Sequence, residues 1–455
     1  MKRILSLSLI VLLLASLGAQ AVRTPNLSYE EARTLALSNN NDYQAKLAAR
    51  ESARWSKNQA LSSFLPNLSL SGTLLYMDPA TEVQAGGSTI KLNNDFRTFN
   101  LQLSQPLFTG GKLWQAYKMA EIGVEMADLA LQNQELTLLS DLESKYLAVL
   151  QTMALLDMNE QDYRSAQTNL EIATLKKDAG LISNADYLRF ESNLASKEVS
   201  LLQAQSAFSL AQMSLRDLLN LDYSPIPAAV ATDQEDPTLR LLQGFDSGET
   251  SLLAVRAKNY GQSGSIALKI SERSLELSRR SYKISQGSFL PTVALAGSRQ
   301  YQENGLDRWE FEASNQIMLN VSLPLLPQVG NYSAMRKSYF DLQQKRYEAE
   351  SLRSGVETGM EAAVLNLVSA AKQVKASGLA LSYTEQTYEQ MQERFRLNMI
   401  SSAELLDMDL MLSAARLSQN TSYYNYLKAL AALKQLLGIT DTQILNNLIQ
   451  SGDNL

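Results

Sequence analysis

The sequence predicts an α+β membrane protein made of very long helices of coiled-coil character and a few short strands, the whole laid down twice along one chain. Three observations carry that expectation. In residues 98–106, Phe99, Leu101 and Leu103 alternate with Asn100, Gln102 and Ser104; in residues 316–324, Ile317, Leu319, Val321 and Leu323 alternate with Met318, Asn320 and Ser322. A period of two places each set on one face of a strand. Each segment is followed by a long stretch poor in proline and glycine, in which apolar residues step by three and four like the seam of a coiled coil. The two halves also keep one offset. Pro106 and Pro324, Glu143 and Glu361, Ile182-Ser183 and Ile400-Ser401, and Leu218-Leu219 and Leu436-Leu437 all lie 218 residues apart. A single spacing held this long marks an internal repeat.

Composition narrows the function classes. The 455 residues carry a net charge of −6, and the 41 basic residues form no patch with interleaved aromatics, which argues against nucleic acid as a partner. Cysteine and histidine are both absent. Disulfides, thiolate nucleophiles, imidazole bases and the commonest transition-metal ligands go with them. No phosphate-binding glycine loop and no activated serine stands out, so no catalytic residue, metal or cofactor is expected and the protein is not expected to be an enzyme.

Residues 1–21 read as a secretory signal peptide. Lys2 and Arg3 precede an apolar run over 4–17, and Ala19-Gln20-Ala21 offers the cleavage site. The run is short for a membrane-spanning helix, which needs about 20 residues. An exported chain without a later apolar stretch of that length spans a membrane with strands if it spans one at all.

The first copy is expected over residues 22–248. Residues 27–60 read as helix, with Ser28 as cap. Phe64-Leu65-Pro66 opens a strand over about 66–77, with Leu68, Leu70, Leu74 and Tyr76 opposed to Ser69, Ser71 and Thr73. A polar loop over 78–95 leads to the strand over 97–106, ended by Pro106, which has no N–H for a ladder. A helical hairpin over 112–221 follows, with its seam on Leu139, Leu142, Tyr146, Val149, Met153 and Leu156. Its first helix, if unbroken, is a rod of about 100 Å. Gly180 ends that helix and Ser183 caps the return. Residues 222–248 read as an irregular connector. The second copy, 249–438, restates this order: a helix over 251–288, Phe289-Leu290-Pro291, strands over about 291–301 and 309–323, Pro324, and a hairpin. Its seam is Val356, Met360, Ala363, Leu367, Ala370, Val374 and Leu381, broken at Ser377. Pro66, Pro106, Pro291 and Pro324 thus mark strand ends. The tail, 439–455, carries no clear pattern.

Four strands cannot close a barrel, and an open edge in lipid leaves bare amides costing several kcal/mol each. Closure therefore calls for several chains; three would give twelve strands. Phe64, Phe289 and Phe108 near one strand end, and Phe96, Trp309 and Phe311 near the other, suit interfacial girdles as well as ordinary packing.

The wording FLPNLSLSG, LSQPLFTGGK and AGLISNADYL, with the signal peptide and the duplicated strand–hairpin order, resembles the TolC family of outer-membrane efflux proteins over most of the mature chain. The resemblance implies a homotrimer with a twelve-stranded barrel in outer-membrane lipid and a helical tunnel through the periplasm. It also implies docking of a periplasmic adaptor and an inner-membrane pump at the tunnel's far end, so that the protein is a passive exit duct for efflux or secretion. It points to Gly180, Leu181, Ile182 and Ser183, and to Asn398, Met399, Ile400 and Ser401, as adaptor-contacting tips, although Asn398-Met399 departs from the Gly-Leu of the pattern. It also points to Glu404 and Asp407 as carboxylate rings at the periplasmic constriction; the first copy has Asp186 and Arg189 there. The same residues suit simpler roles, closing an αα-hairpin and favouring a helix N-terminus. Arg394 and Arg396 either bond across helices or balance Glu393. The alternative reading, a soluble periplasmic coiled-coil adaptor or scaffold, accounts for the hairpins but not for four alternating strands. The cargo is left open among drugs, metal ions and polypeptides.

Overall fold

The structure, a computed structural model, describes residues 26–80, 82–91, 94–228, 236–303, 309–325, 329–439 and 442–450. The expected signal peptide lies outside them. The first copy contains β1 (Asn26–Leu27), α1 (Tyr29–Asn39), α2 (Asn41–Ser62), β2 (Asn67–Tyr76), β3 (Glu82–Ala85), β4 (Ser88–Lys91), β5 (Asp95–Thr109), α3 (Lys112–Asp178) and α4 (Asn184–Leu219). A connecting stretch holds β6 (Ile226–Pro227) and α5 (Pro237–Gly244). The second copy contains α6 (Ser247–Gly264), α7 (Ile266–Gly287), β7 (Thr292–Glu303), β8 (Phe311–Ser322), α8 (Val329–Arg396) and α9 (Ser402–Leu437), and α10 (Thr442–Gln450) closes the chain. Two compact units result, and each draws on both copies: one holds Met1–Gln44, Asn133–Ser265 and Gly355–Leu455, the other Ala45–Gln132 and Ile266–Ser354.

The second of these units carries an antiparallel sheet in the order β2-β5-β7-β8. Residues directly opposite share a face. Leu68 faces Leu103, Leu103 faces Gly297, and Gly297 faces Ile317, so one row is apolar from edge to edge, and Leu70, Leu101, Leu295 and Leu319 extend that face, with Gln105, Arg299 and Asn315 as polar members. On the other face Ser71 meets Asn100, Gln102 meets Ser298, and Ala294 meets Asn320. The apolar face is open: Leu70 is 73% exposed and Ile317 85%. The duplication is kept to the residue, since Asn67 opposite Ser104 in the first hairpin becomes Thr292 opposite Ser322 in the second.

Pro66 and Pro291 directly precede β2 and β7, and Pro324 follows β8. Pro106 is different. The strand does not end there but runs on to Thr109, with a register shift between Pro106 and Phe108. The β2 ladder stops at Ser104, so at Pro106 the strand has a neighbour on one side only and no N–H is missed. Gly110 and Gly111, both at positive φ, then turn the chain into α3. A Cβ on Gly110 would strike the Gly287 carbonyl oxygen, and one on Gly287 would strike that of Gly110, so the two backbones touch. The loop expected over 78–95 contains a hairpin instead, β3 paired with β4 around Gly86-Gly87 at positive φ. Beyond it Glu303, fully buried at its side chain, binds Arg97 at 3.0 Å and accepts from the Trp309 N–H at 2.6 Å.

In the first unit, the long helix expected over 27–60 is broken at Asn40, whose side chain accepts from the Tyr43 N–H at 3.1 Å. The helix expected over 251–288 is broken at Ser265. Asn40 and Ser265 are as far apart as Phe64 and Phe289, so the break is itself duplicated. The connector is partly ordered: β6 pairs in parallel with β1, and the Tyr146 hydroxyl lies 2.9 Å from the Leu27 carbonyl and 3.0 Å from that of Ala228. The expected seams are core. Leu142, Tyr146, Val149, Met360 and Leu367 are buried, and the break at Ser377 is repaired by its hydroxyl donating to Gln419 at 2.6 Å. The tail is not patternless, for Leu445 and Ile449 of α10 enter the core beside Leu242, Leu253 and Tyr426. Among the described residues no helix is long and apolar enough to cross a membrane.

Candidate functional site

Both hairpins turn in the same way. At the end of α3, Gly180 takes φ +72°; its N–H donates to the Lys177 carbonyl at 2.9 Å and that of Leu181 to Lys176 at 2.8 Å. At the end of α8, Asn398 takes φ +57°, donating to Phe395 at 3.0 Å, while Met399 donates to Arg394 at 2.9 Å. This pair of bonds is the left-handed helix stop favoured by glycine and, next, asparagine. Ser183 and Ser401 then cap the return helices. Ser401 does so reciprocally: its hydroxyl accepts from the Glu404 N–H at 3.3 Å, and the Glu404 carboxylate accepts from the Ser401 N–H at 2.7 Å.

The tip residues therefore divide by what they touch. Gly180, Ser183, Asn398 and Ser401 build the turns. Ile182 and Ile400 pack on a cluster of Ala173, Phe190, Tyr388, Phe395, Leu405 and Leu412 that joins the two hairpins. Leu181 and Met399 stand in the open, 58% and 68% exposed. Glu404 and Asp407 are both exposed on one side of α9. The bonds from Ser401 hold the Glu404 carboxyl below the usual range, so it stays ionised. Arg396 pairs with Glu393 at 2.9 Å on its own helix.

Behind the tips lies a ladder of polar groups that the sequence reading missed. Lys176 reaches from α3 into the end of α8, donating to the Phe395 carbonyl and, at 2.6 Å, to Asn398 Oδ1, with its ammonium over the Phe395 ring. Burial pushes its pKa down. One step back, the Tyr388 hydroxyl accepts from Asn169 Nδ2 at 3.0 Å and lies 3.0 Å from Ser165 Oγ, while Gln392 donates to Asn169 Oδ1. Further back, Lys197 sits 3.1 Å from Asp409 and 3.5 Å from Asp162, and Arg416 lies 2.7 Å from Asp162. Two cations thus match two buried anions, and all four long helices contribute to the ladder. A signal existed: Asp162, Asn169 and Lys176 recur every seven residues, as do Ser402, Asp409 and Arg416, the period that keeps residues on one seam. Among the described residues no cluster suited to a metal ion occurs.

A sheet with one apolar and one polar face, continued into duplicated helical hairpins, defines the class of outer-membrane channel proteins with a helical extension. The profile of the family described as "Outer membrane efflux protein" matches residues 32–221 and 263–439, and the chain belongs to that family. It is 22% identical over 432 residues to the outer membrane protein TolC of Escherichia coli, covering 91% of this chain and 82% of that protein. It is 29% identical over 190 residues to the alkaline protease secretion protein AprF of Pseudomonas aeruginosa, covering 42% of this chain and 38% of that one. The outer membrane channel CmeC of Campylobacter jejuni has the same fold, with a TM-score of 0.77 at 16% identity over 93% of this chain and 90% of that one.

Proposed function

We propose that the protein is the outer-membrane exit duct of a tripartite efflux or type I secretion system. In this reading three chains close a twelve-stranded barrel and conduct substrate passively once an adaptor and an inner-membrane pump dock at the tips. The observation that carries it is the sheet: an open, largely apolar face from β2 to β8, a polar face behind it and, among the described residues, an unpaired edge at each end. In lipid such a sheet is stable only if its edges are closed by other strands. A soluble scaffold would leave the same face in water.

Leu181 and Met399 are the apolar side chains offered to the adaptor. Glu404 and Asp407, repeated three times about the axis, would gather cations and repel anions at the entrance. Two measurements test the proposal. The purified protein should run as a heat-sensitive trimer in mild detergent and give single-channel currents in planar bilayers. Glu404→Gln with Asp407→Asn should lower the cation preference of those currents, while Asp186→Asn should not. A monomer without conductance overturns the duct; unchanged selectivity overturns the carboxylate gate.

A further inference from the structure

The apolar face of the sheet carries two arginines, and the chain supplies counter-charges for only one of them. Arg97 and Glu303 lie directly opposite in the row farthest from α2 and α7 that still spans all four strands. Phe99 faces Tyr301 in the next row, and Arg299 lies between Leu101 and Asn315 in the third. Arg97 is matched: it lies 3.0 Å from Glu303 and 2.5 Å from Asp95, with the Trp309 ring 4.3 Å from its Cζ. Arg299 is not. Its side chain is exposed, and among the described residues its five donors meet no acceptor. The one interaction of its head is with the Tyr301 ring, 5.2 Å from Cζ. The side-chain amide of Asn315 is equally without a hydrogen bond among the described residues. Because β7 is flanked by β5 and β8, closing the sheet at its edges covers no part of Arg299.

Depth gives this arginine its meaning. It stands six residues beyond Val293, the first apolar residue of β7 on the same face. That is about 20 Å of strand. At a tilt of about 40° it is about 15 Å of an apolar band about 25 Å tall. Arg299 is therefore set in the outer half of the band. Tyr301, the next residue outward on the same face, draws its head toward the surface. A guanidinium left in hydrocarbon is costly, and its long apolar stem lets it reach the headgroups instead. In a leaflet of phosphorylated lipids it meets phosphate there, whose oxygens accept two parallel bonds from the planar fork.

We propose that Arg299, with Asn315 beside it and Tyr301 above, binds the phosphate of an outer-leaflet lipid whose acyl chains lie along Leu101 and Leu103. The lipid anion takes the place of the carboxylates that Arg97 finds within the chain. Three such sites surround the barrel, one per protomer. The proposal rests on the barrel reading above, which decides that this face meets lipid and which end lies outermost.

The test uses the full-length trimer in a neutral detergent, titrated with bisphosphorylated lipid A, with bound lipid counted by native mass spectrometry. Up to three molecules per trimer are expected, and Arg299→Gln is expected to weaken binding about tenfold or more. Arg164→Gln, which removes an exposed arginine of α3, is expected to bind as the unaltered protein does. Dephosphorylated lipid A and inorganic phosphate alone are each expected to bind weakly, since one lacks the anion and the other the chains. If the unaltered protein is monomeric and passes no current, the barrel reading falls and takes this site with it. If Arg299→Gln is a conducting trimer that binds lipid A undiminished, the site alone is overturned. It is overturned too if dephosphorylated lipid A binds equally, or if inorganic phosphate alone binds as tightly, which describes a free-anion site. Should Arg299→Gln fail to assemble, Asn315→Leu gives an independent reading: about a threefold loss is expected, and no loss counts against the site.

Discussion

The two hairpin turns share a backbone and differ in what they hold. Each ends its first helix with the same pair of hydrogen bonds and starts the second with a serine cap. The left-handed residue, however, is Gly180 in the first turn and Asn398 in the second, and only the second has a side chain for Lys176 to grip. Duplication preserved the geometry while the side chains took separate tasks. The second turn is tied to the first hairpin from within its own chain, and Gly180 offers nothing equivalent in return.

Mutations that treat the copies unequally sharpen this comparison. The largest effect is expected from Lys197→Ala, which leaves Asp409 buried without its cation and should cost about 3–5 kcal/mol. Arg189→Ala, which removes an exposed partner of Asp186 in the first turn, should change stability little. Denaturant unfolding followed by helical circular dichroism measures both, and equal costs would break the distinction between ladder and surface. Next, Gly180→Ala places a Cβ in the left-handed region and should cost about 1–2 kcal/mol. Asn398→Gly keeps the backbone and forfeits only the Lys176 bond, about 0.5–1.5 kcal/mol. The smallest effect concerns the caps. Glu404→Ala should destabilise its turn more than Asp186→Ala does, because Glu404 accepts from both the hydroxyl and the backbone N–H of Ser401, whereas Asp186 accepts from the Ser183 hydroxyl. The folded pKa of Glu404 is depressed, so this contribution is present above the unfolded carboxylate pKa of about 4.3 and is lost as pH falls through the folded value. The gap between the two carboxylate variants should therefore narrow in acid.

Much of this molecule is legible in its sequence because its signals are periodic. Alternation exposed β5 and β8, steps of three and four exposed α3 and α8, and one offset exposed the duplication. The breaks at Asn40 and Ser265 were hidden because a helix can stop on a polar cap without proline. The Gly86-Gly87 hairpin was legible by its glycine pair but was masked by the polar residues around it. Pro106 misled because a proline excludes only the ladder on its own N–H side, and there the strand has none. The Lys197 cluster joins residues from three helices that are distant in sequence, and no local pattern announces such a meeting. Its sevenfold spacing showed where to look, but not which charges would find each other.

The contact between Gly110 and Gly287 has a consequence for how this chain can change over generations. Two backbones that touch without side chains leave no intermediate step, since a substitution at either glycine strikes the other's carbonyl whatever residue is introduced. Evolution can lengthen loops and recolour the outer surface of this protein freely, but the place where the turn into its first long rod meets the end of α7 is confined to the smallest residue in the alphabet.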